Sequence, residues 1–166
     1  DKMVGIIREL KKFDIALRYF ITDVNGKTIS ETREPIVDTS TYGESTGNNV
    51  NTTFKYNHSK EPIKVCNNDE ITFTIRVYNE GTQDGYAPQI GSNLPTVMSF
   101  VPDNEINQKY QWKMFDEKGR ETDDVSKAIL VKTNYLEKND SEEQENVIKA
   151  FNSDGDINYK DVKVVL

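Results

Sequence analysis

Asp69-Glu-Ile-Thr-Phe-Thr-Ile-Arg-Val-Tyr-Asn-Glu-Gly81 decides how the rest of the chain is read. Ile71, Phe73, Ile75 and Val77 alternate with Thr72, Thr74, Arg76 and Tyr78. A period of two places the four apolar residues on one face of a strand, which must be buried, and leaves the other face able to meet water. Asn79-Glu80-Gly81 then supplies turn chemistry.

Upstream, Phe13 to Val24 reads as the first strand, with Phe13, Ile15, Leu17 and Tyr19 on one face. Asn25-Gly26 follows, a strong hairpin signal, and Lys27 to Glu31 is the expected return strand. Residues 38–53, rich in Ser, Thr, Gly and Asn, read as a long exposed loop. Thr53 to Tyr56 and Ile63 to Val65 read as short strands.

Downstream, Gly85, Pro88, Gly91 and Pro95 punctuate an irregular stretch. Val97 to Val101, Tyr110 to Phe115, Ile129 to Tyr135 and Val162 to Leu166 are strand candidates. Glu117-Lys118-Gly119 is a turn. Ser141-Glu-Glu-Gln144 is a capping-box pattern, and Val147, Ile148 and Phe151 form the apolar side of the short helix it predicts. Short strands separated by turns predict an all-β, immunoglobulin-like β-sandwich with long loops and one short helical insertion. Residues 1–12 read as a linker or N-terminal extension and 13–166 as one sandwich domain. That is long for such a domain, typically about 100 residues. The surplus falls in 38–53, 81–95 and 116–151.

The totals narrow the function. The chain has 166 residues, 35% of them hydrophobic, and a net charge of −7. Mean hydropathy is −0.72, low for a compact enzyme. An acidic surface disfavours nucleic acid and anionic membrane, and no apolar run is long enough to insert in a bilayer. Asp1 is not preceded by a signal peptide, and the chain reads as a piece of a longer one.

Cys66 is the only cysteine, so an internal disulfide or a cysteine metal cluster is impossible. It reads as a small buried residue. His58, the only histidine, lies in the polar turn Asn57-His58-Ser59 and reads as a surface residue. Any Ser-His-Asp or Cys-His arrangement would have to use it. There is no P-loop, GxSxG or HExxH, and no enzymatic activity is expected.

Asn152-Ser-Asp154-Gly-Asp156-Ile-Asn158-Tyr-Lys-Asp161 places oxygen-bearing side chains at alternate positions around a glycine, as a calcium loop does. Asn152, Asp154, Asp156 and Asp161 are its candidate ligands. Ala150 falls at the first ligand position, and a strand rather than a helix follows Asp161. The same residues make an ordinary solvated turn, the favoured reading. Tyr110, Trp112 and Met114 share a face, either as a platform for stacking a sugar or, preferred, as part of the sandwich core.

Several of these segments, Phe13-Asp-Ile-Ala-Leu-Arg-Tyr-Phe-Ile21, Ile71 to Gly81, Gly85-Tyr-Ala87, Leu94-Pro95, Phe100-Val101 and Tyr159-Lys-Asp-Val162, resemble repeat domains of clostridial and other Gram-positive surface proteins, of the DUF11-like and isopeptide-forming fimbrial and adhesin kinds. The resemblance implies a sandwich at the cell surface or in the cell wall, extracellular, serving as stalk or adhesin. Its partners would be neighbouring domains of the same protein and a host or matrix protein or glycan, with the domain itself monomeric. A calcium- or carbohydrate-binding extracellular domain is the alternative. Self-crosslinking relatives join a lysine on the first strand to an asparagine on the last. A tie of that kind removes on the order of 3–5 kcal/mol of unfolded-state entropy. Here the lysine position falls on Tyr19 and the asparagine position near Asp161, while Lys11 or Lys12 would require a register shift. No internal isopeptide bond is therefore expected.

Overall fold

The computed structural model describes residues 12–139, 145–151 and 155–166. In chain order the elements are β1 (Ile15–Val24), β2 (Lys27–Thr28), β3 (Ile36–Asp38), β4 (Ser45–Thr46), β5 (Asn49–Val50), β6 (Lys55–Asn57), β7 (Ile71–Asn79), β8 (Ile90–Asn93), α1 (Glu105–Lys109), β9 (Lys113–Phe115), β10 (Leu130–Thr133) and β11 (Tyr159–Val165). A single 3₁₀ turn covers Val125–Lys127. The fold is all-β and sandwich-like. A four-stranded sheet, order β11-β7-β1-β2, faces a three-stranded sheet, order β8-β10-β9.

Strand β7 organises the molecule. Ile71, Phe73, Ile75 and Val77 pack inward with Val162 and Val164 of β11 against Ile90, Met114 and Val131 of the opposite sheet. The alternating pattern predicts that face. Its polar face does not meet water: Thr72, Thr74, Arg76 and Tyr78 are all buried. The paired strands β3 and β6 and their flanks cover Arg76 and Tyr78. Tyr56 packs on Tyr78, with ring centroids 4.9 Å apart. The carboxylate of Glu80, itself buried, accepts hydrogen bonds from Phe54 N (3.0 Å) and the Tyr56 hydroxyl (2.7 Å). A strand buried on both sides is central to its fold, whatever its pattern suggests.

The Asn25-Gly26 hairpin is present, with φ of 51° and 70°, the two positive values that a tight two-residue connection needs. Other expectations are corrected. Val147 to Phe151 form no helix; Ile148 bridges Gly85 in extended conformation. Ser141 to Gln144 lie outside the described residues. Among the described residues the α-helix is α1, where Asn104 caps the chain by accepting from Ile106 N. Ile63–Val65 and Val97–Val101 form no strands, and Tyr110–Phe115 is a strand only over its last three residues. There Gln111, at φ 54°, turns the chain between α1 and β9. The 38–53 loop carries the small β4–β5 hairpin, and its Tyr42 donates to Glu80 O at 2.8 Å. Cys66 is exposed, in the turn before β7, rather than buried.

The outer edge of the sheet is closed by side chains. Asn107 of α1 accepts from Val165 N and donates to Val165 O, both at 2.8 Å, as a neighbouring strand would. Trp112 donates its indole N–H to Lys163 O at 2.7 Å. Trp112 is a core residue, as preferred above, and it also blunts a sheet edge.

Candidate functional site

The opposite border of the sandwich is open. Strand β1 is hydrogen-bonded along one side to β7, but on its other side β2 reaches only Asp23 and Val24. Strand β8 is likewise an edge. Between these borders runs a groove of about 370 Å³, walled by Leu17, Tyr19, Phe73 and Ile75 on one side and by Gly91 to Asn93, Pro95 and Met98 on the other. The apolar face of the first strand is thus only half covered: Ile15, Leu17 and Tyr19 keep 41%, 43% and 40% of their surface exposed. The Tyr19 ring stacks on Phe73, with centroids 4.8 Å apart. Burial raises the Tyr19 phenol's pKa, with the Ser92 hydroxyl acting in the opposite direction.

The residues singled out from the sequence are scattered. In the register across β7, Tyr19 aligns with Ile75 and Val162, whereas Asp161 aligns with Arg76 and Arg18. Adjacent rows point to opposite faces, so Tyr19 and Asp161 lie on opposite sides of the sheet with β7 between their strands. Asp161 is held by Arg76 through two 2.8 Å hydrogen bonds. Lys12 pairs with Asp14, and Lys11 lies outside the described residues. Asn152 and Asp154 also lie outside them. Asp156 is exposed, beside Gly155 at φ 85°, which is turn geometry. Among the described residues no group of three or more His, Cys, Asp or Glu side chains is placed to hold a metal ion. His58 is half-buried instead of exposed.

Arg33, Glu80 and Asn107 were not legible as special. Arg33 follows the expected return strand, between Glu31 and Glu34, and it is buried. No protein-family model, curated protein or solved structure matches the chain. No helix among the described residues is long and apolar enough to cross a membrane.

Proposed function

We propose that the chain is a structural module of a bacterial cell-surface protein, of the stalk or adhesin kind seen in Gram-positive cell walls, and that it carries tension along its length. The observation behind this reading is the arrangement of the first and last strands. Ile15 of β1 is beside Asn79 and Val24 beside Ile71; Tyr159 of β11 is beside Tyr78 and Val165 beside Thr72. Strands β1 and β11 therefore run parallel to each other on either side of β7. The chain enters the sheet at one end of β7 and leaves it at the other.

Tension applied through the two ends loads both ladders in shear. Many interstrand hydrogen bonds must then fail together, whereas peeling breaks them one after another.

Single-molecule pulling tests the reading in a Cys66→Ser background. Handles at residues 12 and 166 shear the ladders. Handles at residues 12 and 82, which lie side by side at 2.7 Å between Thr82 N and Lys12 O, peel β1 from β7. The expected unfolding force is several-fold higher for the first pair. Equal forces would overturn the mechanical role. Antibody labelling of intact cells of the source organism tests the surface location.

A further inference from the structure

A second cavity lies on the far side of the Tyr19–Phe73 stack, around the border of β1. It holds about 220 Å³ and is lined by Tyr19, Phe20, Ile21 and Phe73 together with Arg33, His58, Ser59 and Lys60. Arg33 is 8% exposed. It donates through Nη1 to Ser59 O at 3.5 Å and through Nη2 to Glu61 O. Its Nε is buried without a hydrogen-bond partner, and so is Nδ1 of His58. No acidic side chain among the described residues forms an ion pair with Arg33, although the chain carries a net charge of −7.

A buried cation without a counter-charge, next to a second unpartnered nitrogen, is costly unless something satisfies both. Buried Arg76 is treated differently: it is given Asp161. Tyr19, Phe20, Ile21 and Phe73 form the aromatic and aliphatic part of the wall, and Ser59 and Lys60 complete it.

We propose that this cavity binds a small apolar carboxylic acid. The carboxylate accepts from Arg33 Nε and from His58 Nδ1, in the tautomer that carries its proton there, once rotation of both side chains turns these buried nitrogens into the cavity. The apolar body lies against the Tyr19, Phe20 and Phe73 rings. A planar guanidinium matches a carboxylate in geometry as well as charge. Exposed Lys60 adds positive charge at the rim. This inference is independent of the mechanical reading, which concerns the ladders of β7.

His58 is the only histidine, so its imidazole proton signals in the NMR spectrum form an isolated reporter. The folded protein is titrated with benzoate, glucuronate and inorganic sulfate. The expected result is a saturable shift with benzoate at millimolar concentration, at least fivefold weaker binding of glucuronate and sulfate, and at least a tenfold loss of benzoate affinity in Arg33→Gln. Should that variant fail to fold, His58→Gln followed by calorimetry carries the test, with a fivefold or greater loss expected. No saturable benzoate shift, a preference for sulfate or glucuronate, or unchanged affinity in the variants would overturn the proposal.

Discussion

Arg76 and Asp161 are direct partners across the β7–β11 ladder, and their side chains lock in a two-pronged ion pair, Nε to Oδ1 and Nη2 to Oδ2, each at 2.8 Å. The Arg76 side chain is only 7% exposed. Its guanidinium also lies 3.8 Å from the Tyr159 ring centroid and 3.7 Å from a Glu34 oxygen. Burial works against the arginine's charge, but the hydrogen bonds and charge of Asp161 outweigh it and raise the pKa. Asp161→Ala removes the main counter-charge from a buried cation and should cost about 3 kcal/mol. Arg76→Met in the same background should restore part of that loss, because it removes the stranded charge. Urea midpoints of the two single variants and the double variant check this.

Asn107 should be as sensitive as an apolar core residue. It is 1% exposed, and its amide serves Val165 N–H, Val165 O and Val101 O. Asn107→Ala leaves buried backbone groups of Val165 without partners, at about 1–3 kcal/mol. It also opens the β11 edge to pairing with other chains. Chemical denaturation measures the first effect, and light scattering after mild heating the second.

Gly81 is required for space. A Cβ there would stand 2.0 Å from Lys12 O and 2.8 Å from Asp14 N, both backbone atoms. Gly81→Ala must push residues 12–14 away and loosen the bonds from Glu80 N to Asp14 O and from Thr82 N to Lys12 O, both 2.7 Å. The expected loss is about 2–3 kcal/mol. Gly91→Ala is the control: its nearest neighbour would be at 3.5 Å, and its melting temperature should change little.

Stability should fall at both ends of the pH range. Asp124 is brought down to about 2, first by the Ser126 hydroxyl and then by Lys127. Asp116 is also lowered, first by the Arg120 N–H. A depressed carboxyl contributes above its unfolded value of about 3.9, and the contribution is lost as pH falls toward the folded value. The phenols of Tyr19, Tyr56, Tyr78 and Tyr110 are raised, chiefly by burial, and Tyr56 also by its hydrogen bond to Glu80. Their contribution is complete below the unfolded value of about 10 and is lost as pH rises above it. Urea midpoints should therefore decline from about pH 4 down to 2 and again above about pH 10. Tyr56→Phe should flatten the alkaline decline.

Much of the fold was legible because strand periodicity is a local property. Ile71 to Val77 declared its buried face by alternation, and Asn25-Gly26 declared its turn by tolerating positive φ. The capping-box helix failed because Ile148 gains more by pairing with Gly85 and entering the core than by forming an isolated helical turn. The candidate sites were less legible. Leu17 and Tyr19 alternate like core residues, and they line an open groove because β2 pairs with β1 only at Asp23 and Val24.

The sequence by itself determined an all-β chain and an inward face for β7. Tertiary structure alone decided that the polar face of β7 is buried, that Tyr19 and Asp161 lie on opposite faces, and that Arg33 is enclosed beside His58. The physical reason is range. Alternation and turn preference act between neighbours in the chain, whereas burial and charge pairing depend on which distant segments settle over a given face.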